Sequence, residues 1–411
     1  MFAQYDDPAQ MEPLLVSDEN ASYPALIGLA HELSEASASL DASLAPATAR
    51  SLARLVSGMN CYYTNLIEGH HTLPVDIEKA MSAPSDNNNL RSLAFAHIQS
   101  DQWAKTQTID ANSLLAFLLE LHQRFAEHLP DDLKIVDAGK IRKHEVRVGR
   151  HVAPLARTVP AFLERFAKVY TQQLVWSKKG GISKLSGVLA AIAAHHRLVW
   201  VHPFSDGNGR VARIVLDAML RECGINTSGL WSISRGFAKS ADDYKARLAN
   251  ADQPRMGDLD GRGTLSEKRL VEFCEYTLHT AIDQARFMGQ MFSLENFRFR
   301  TEQYFQKVRF DLKPESSHLF LHAFVFGSFE RMAAGRITGL PERTARDVSS
   351  TLIQEGFLVS DSPRGKLRVG FPVHALSSLL PNLYPAGDLD SAQKQAQDRK
   401  AKAIPNAPAG R

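Results

Sequence analysis

The chain has 411 residues, 44% of them hydrophobic and 23% charged, with a formal net charge of +3. That length supports two or three packed cores, and the charge is too mild to imply nucleic-acid binding by itself. No apolar run reaches the roughly 18 residues of a membrane span and the acidic start MFAQYDDPAQMEP lacks a secretory h-region, so a soluble, cytoplasmic protein with no membrane partner is expected.

In chain order, Tyr23–Val56 mixes alanine and leucine with polar residues in a helical manner, with Pro24 and Pro46 as start or break signals. NCYYTNLIEG (60–69) follows. Thr64 and Glu68 are four apart and share one helix face, and Gly69 suits the left-handed residue that closes a helix. A glutamate at a helix C-terminus faces the negative end of the dipole. It is at home there only opposite a cation; taken alone, a solvated surface glutamate is the better reading. Pro74 opens a helix over 75–81, the Ser-Asp-Asn-Asn-Asn run 85–89 reads as a loop, and helices follow over Arg91–Thr106 and Ala111–His128. The last of these shows an apolar face of Leu114, Leu115, Leu118, Leu121 and Phe125.

RKHEVRVGRHVAP (142–154) changes character, with Val146, Val148 and Val152 as two short strands turning near Gly149. Pro160 starts a helix through Leu163, Phe166 and Tyr170, and a further helix runs from Leu185 until Pro203 stops it, which forces His202 out of the α region. Val211, Ile214, Val215, Ala218 and Met219 mark the next buried helix, closed at Gly224. Asp258–Gly263 reads as a turn rather than a calcium loop, ahead of a helix through Leu270, Phe273, Cys274, Leu278 and Ile282. Beyond about residue 295 a separate module is expected: helix 317–332, a short segment 337–340, helix 342–355 stopping at Gly356, then strands 357–360 and 366–371. That is the order of a winged helix-turn-helix, and residues 386–411 read as a disordered tail. The expected division is 1–110, 111–292, 295–385 and 386–411. Three scattered cysteines, Cys61, Cys223 and Cys274, give no zinc or disulfide pattern and read as reduced, partly buried thiols.

The chemistry gathers in HPFSDGNGR (202–210), a polar loop between two buried helices. Gly207-Asn208-Gly209 at a helix start presents successive N–H groups and the positive dipole end to an anion, most naturally a phosphate. Arg210 can fork onto phosphate oxygens, Asp206 offers a hard oxygen to magnesium, and His202 suits proton transfer near neutral pH. Phe204 reads as a hydrophobic peg that fixes the loop. His195, His196 and His202 do not have a convincing zinc spacing. Each feature alone is most often a turn or a helix end; their occurrence within nine residues is what points to attack on a nucleotide phosphate.

HPFSDGNGRVAR resembles the full signature of the Fic (filamentation induced by cAMP) family, His-x-Phe-x-Asp/Glu-Gly-Asn-Gly-Arg-x-x-Arg. TNLIEG (64–69) is similar to that family's inhibitory-helix motif, EVRVGRHVAP (145–154) to its β-hairpin flap, and DGRGTLSE (260–267) also looks familiar. The resemblance spans about residues 20–290. It implies a mainly α fold, a Fic-type helical bundle with a small flap, here followed by a winged helix-turn-helix. It also implies transfer of AMP from ATP, with Mg2+, to a tyrosine, threonine or serine hydroxyl of a target protein, or of the chain itself. In these terms His202 is the base, Phe204 the anchor and Asp206 the metal ligand. Gly207, Asn208 and Gly209 cradle the α- and β-phosphates, and Arg210 pairs with the β- and γ-phosphates. Glu68 is the inhibitory residue and pairs with Arg213, in the class whose inhibitory helix is N-terminal. Val146, Arg147, Val148 and Gly149 form a flap that docks an extended target segment or merely covers the adenine. The same glutamate supports AMP removal in some relatives, so a hydrolase activity stays open. The rival from another class is a nucleotide-sensing regulator that binds DNA through Arg343, Arg346, Arg364, Lys366 and Arg368; winged helices also dock proteins. A second copy of the chain is a further candidate partner.

Overall fold

The computed structural model describes residues 5–82, 88–110, 113–149 and 151–390. Most of the proposed tail and part of the 85–89 loop therefore lie outside the described residues. The fold is mainly helical. Helices α1 (Tyr23–Ala42) and α2 (Pro46–Ile67) each begin with a proline in the first turn, where the missing N–H costs nothing. α3 (Pro74–Ser82), α4 (Asn89–Thr106) and α5 (Leu114–Glu127) follow, then a hairpin of β1 (Arg147–Val148) and β2 (His151–Val152). α6 (Val159–Ser177), α7 (Gly181–Val201) and α8 (Asn208–Glu222) come next, ahead of α9 (Ile233–Lys239), α10 (Ala241–Ala251) and α11 (Glu267–Phe292).

α7 is the central helix. From Gly187 to Val201 it is buried at every position except Val199, and it packs against α1, α6, α8 and α11. Such a helix needs no amphipathic stripe. α8 sits at its C-terminal end, so the loop joining them is fixed by two buried helices rather than by surface chain. The three cysteines are free and buried. The turn before α11 closes on itself: Asp260 accepts from the N–H groups of Met256 (2.9 Å) and Lys268 (2.9 Å) and from the Ser266 hydroxyl (2.9 Å). Its carboxylate is spent on the turn, and no cluster of potential metal ligands exists among the described residues. Nor is any helix among them long and apolar enough to cross a membrane.

The C-terminal part comprises α12 (Leu294–Gln303), α13 (Ser316–Phe326), α14 (Ala334–Thr338), α15 (Glu342–Gln354), a hairpin of β3 (Leu358–Val359) and β4 (Arg368–Val369), and the short α16 (Leu376–Leu379). The helix expected to run to 332 stops six residues earlier, where Gly327 turns with φ +81 and lets the start of α2 approach, Ala47 Cβ lying 3.1 Å from where a glycine side chain would begin. Both hairpins are shorter than expected. Val146 lies outside β1, which pairs Arg147 with Val152 and Val148 with His151. In the second hairpin Leu358 pairs with Val369 and Val359 with Arg368, and Phe329 bridges to Leu367. Arg343, Arg346, Arg364 and Lys366 are exposed, but Lys366 faces Glu330 at 3.4 Å and Arg368 is paired with Asp361.

This C-terminal part grips α2 at both ends. Thr48 donates its hydroxyl to the Phe324 carbonyl (2.6 Å), Tyr63 donates to the Leu383 carbonyl (3.0 Å), and Tyr62 donates to Asp388. Tyr384 packs edge-on against Tyr62, with ring centroids 5.2 Å apart.

Candidate active site

α7 ends at His202, whose N–H still donates to the Leu198 carbonyl (3.1 Å) while its own backbone turns left-handed, φ 50 and ψ 62. A left-handed non-glycine residue costs about 1–3 kcal/mol and persists where its surroundings dictate it. The following proline disfavours the right-handed α region but would ordinarily leave this residue extended, so it does not by itself explain the left-handed turn. Its ring Nδ1 lies 3.4 Å from the Val199 carbonyl, which places the proton there and leaves the Nε2 lone pair available. Burial pushes the imidazole down to about 4, opposed by the Val199 carbonyl and Asp206 and reinforced by His151 and Arg142. The ring is neutral near pH 7, as a proton acceptor must be.

Phe204 is fully buried, and its ring stacks face to face on His122 of α5, with centroids 3.7 Å apart and planes 2° from parallel. The same histidine accepts the Gly139 N–H at Nδ1 (2.9 Å) and donates from Nε2 to the Asp206 carbonyl (3.2 Å), so one neutral tautomer serves both bonds. Burial holds His122 down to about 4, which keeps it neutral. Asn208 spends its whole side chain on the loop: its Oδ1 accepts the Phe204 N–H (2.9 Å) and its Nδ2 donates to the Phe204 carbonyl (2.9 Å). The amide side chain therefore staples the loop, and the backbone N–H groups of 207–209 are the groups the sequence offered to an anion.

Gly207 is left-handed (φ 78), and α8 begins at Asn208. The first N–H to bond within this helix is that of Val211, to the Gly207 carbonyl (3.0 Å), so the amides ahead of it face the open end. Arg210 is 5% exposed, lies over the Phe125 ring, and has no hydrogen-bond partner for Nε or Nη1. A buried guanidinium with orphaned donors beside a helix N-terminus is suited to an anion. The Asp206 side chain is 66% exposed, 4.0 Å from Arg210, with one oxygen taken by the Gly207 N–H (2.6 Å).

Across this opening lies the end of α2. Gly69 takes φ 83, and the His70 N–H returns to the Asn65 carbonyl (2.9 Å), closing the helix as its glycine leads one to expect. Glu68 is thereby aimed at α8. Its Oε1 accepts from Arg213 Nη2 at 2.6 Å, and Arg213 Nε donates to the Thr64 hydroxyl at 2.6 Å. Arg213 is 2% exposed, whereas the Glu68 side chain is 32% exposed. Burial alone would raise the Glu68 carboxyl, but Arg213 and Arg210 outweigh it and hold it below its ordinary value. Burial would likewise lower Arg213; Glu68 and Tyr244 hold it above. A methyl group on Gly209 would stand 2.3 Å from Glu68 Oε1, so the carboxylate rests directly on the first turn of α8.

The flap is tied to α7. His151 donates from Nε2 to the Trp200 carbonyl (2.8 Å), and Asp252 reaches both His151 (3.2 Å) and His196 (3.1 Å). Val148 and Gly149 at its tip are exposed, as is Arg147, while Val146 is half-buried. His195 donates to the Ala212 carbonyl (3.1 Å) and accepts from the Tyr244 hydroxyl (2.8 Å). Both neighbouring histidines are thus spent on packing the helices.

Residues 112–220 match the Fic/DOC family. Over 107 residues the chain is 34% identical to "Protein adenylyltransferase Fic" of Drosophila erecta and equally to that of Drosophila yakuba. These matches cover 26% of this chain and 19% of each relative, so the chain aligns with about a fifth of the length of those curated relatives. Among solved structures it resembles a Fic family protein from Desulfovibrio desulfuricans G20, with a TM-score of 0.51 at 17% identity over 86% of this chain and 98% of that one, a likeness of fold. The loop and the two helices that fix it fall within or at the edge of the segment that matches the Fic/DOC family.

Proposed function

We propose that this chain transfers AMP from ATP to a hydroxyl side chain of a protein, and that Glu68 restrains the transfer. The observation that carries the reading is the Glu68 carboxylate bonded to Arg213 at 2.6 Å and resting on the start of α8. That is where a helix N-terminus, the orphaned Arg210 donors and the backbone amides would otherwise meet the distal phosphates of a nucleotide. In the transfer, the target hydroxyl gives its proton to His202 Nε2 as its oxygen bonds to the α-phosphorus. The bond from that phosphorus to the bridging oxygen breaks, and pyrophosphate leaves. Asp206 would hold a magnesium ion, which would neutralise phosphate charge. Its exposed carboxylate and the anion-ready donors opposite are the support for that assignment. The flap edge, anchored through His151, would present the target segment by strand pairing.

The test is incubation of Glu68→Gly protein with α-labelled ATP, magnesium and cell lysate, with His202→Ala as the control. Label on protein that depends on His202 and exceeds the wild-type level supports the reading. Equal label with wild type and Glu68→Gly would remove the restraint, and label independent of His202 would remove the mechanism.

A further inference from the structure

Arg142 lies in the segment between α5 and the flap. It is 2% exposed, and Glu145, with which it forms an ion pair, is 3.9 Å away, beyond hydrogen-bond distance. That carboxylate instead accepts the Ala156 N–H, both oxygens at 3.1 Å. A buried cation whose carboxylate partner stands beyond hydrogen-bond reach is costly, so what it bonds is informative. All of its hydrogen-bond partners are backbone carbonyls. Nε donates to His202 (2.8 Å), Nη1 to His144 (2.9 Å) and Nη2 to Pro154 (2.6 Å), while the Arg142 backbone N–H donates to Pro203 (2.9 Å).

His144 and Pro154 flank the two flap strands, and His202 and Pro203 are the strained junction between α7 and the loop. The carbonyls at the end of α7 carry the negative end of its dipole, which offsets part of the cost of the buried charge. We infer that Arg142 is a positioning residue that holds His202 in its left-handed conformation and ties both flap roots to it. A planar fork suits this role: three diverging donors fix three carbonyls at once, which the single ammonium of a lysine does not do.

The consequence for rate rests on the AMP-transfer reading; the clamp itself does not. In the Glu68→Gly chain, Arg142→Met should lower kcat about 100-fold, the scale of a 1 Å misplacement. KM for ATP should stay within about twofold, because the phosphate cradle is on α8. Arg142→Lys should fall between. A second readout is independent of transfer: NMR titration of the His202 ring in the otherwise wild-type protein. Arg142 is one of the charges that lower this ring. Arg142→Met should therefore move its titration to higher pH, and Arg142→Lys should move it less. Unchanged kcat with an unchanged titration would overturn the inference, as would a rate loss that lies wholly in KM for ATP. If Glu68→Gly shows no transfer at all, the functional reading fails and the titration alone decides on Arg142. Should Arg142→Met not fold, the wild-type Arg142 Nε–H resonance decides: slow exchange with solvent is expected, and exchange at the rate of a free arginine would overturn the clamp.

Discussion

Replacing Thr64 by valine keeps the shape of the side chain and deletes one acceptor. Arg213 Nε then points into a space closed to water, since Thr64 is 0% exposed and Arg213 2%. A buried donor left without a partner costs about 1–3 kcal/mol. That cost falls only on the pose in which Arg213 is turned towards α2. With about 1.4 kcal/mol for each factor of ten, the population of the held pose should fall roughly 5- to 150-fold. The assay is the initial rate of AMP incorporation at subsaturating ATP, compared across wild type, Thr64→Val, Glu68→Gly and the double variant. Thr64→Val should raise the wild-type rate by a factor in that range, with Glu68→Gly as the ceiling. In the Glu68→Gly background the same substitution should change the rate by less than about twofold, because no held pose remains to destabilise. An unchanged rate in the single variant, or an equal gain in both backgrounds, would refute the reasoning.

Two further outcomes follow from buried groups. Phe204→Ala removes a fully buried ring from its stack on His122 and should cost about 3–5 kcal/mol in denaturant unfolding; a loss below about 1 kcal/mol would show that the peg is not seated as described. Stability should also fall on acidification below about pH 6.5, because His97, His122 and His202 are held down to about 4 and His195 to about 3, each chiefly by burial. A neutral histidine favoured by the fold contributes fully above 6.5 and loses that contribution towards its folded value, about 1.4 kcal/mol per pH unit each. Asp217, raised by burial to about 7, runs the other way and offsets one of the four. The net slope is about 4 kcal/mol per unit, read as a falling melting temperature between about pH 6.5 and pH 5; a flat melting temperature there would contradict it.

The helices that flank the loop could be read from the chain because their signals are local: an apolar run, a proline that stops it, glycines that start the next turn. The pairing of Glu68 was not legible from its own helix, where a solvated surface glutamate is the better reading; only the resemblance of TNLIEG to the inhibitory motif pointed to Arg213. His122 and Arg142 were not legible at all. His122 sits on the buried face of an ordinary amphipathic helix, 84 residues from the carbonyl it serves. Arg142 bonds only carbonyls, and every residue type offers one of those, so nothing in the sequence marks its partners. Nor was the part played by the Asn208 side chain legible: its amide reaches back four residues to Phe204. The overrun of α13 to 332 arises because apolar spacing continues past Gly327, but the backbone turns there. α9 and α10 leave little periodic signal, with seven and eleven residues respectively.

The grip on α2 has a thermodynamic consequence. Its buried residues run from Thr48 to Ile67, and they join one continuous apolar cluster that extends from Met11 to Leu389. The polar contacts at Thr48, Tyr62 and Tyr63 come from the C-terminal part, while the far side of the helix meets α4 and α9. A helix that serves as wall to two compartments couples their melting, because opening either one strips apolar surface from the other. The Glu68–Arg213 contact at the end of this helix is therefore backed by the cooperativity of the surrounding core, not by one ion pair.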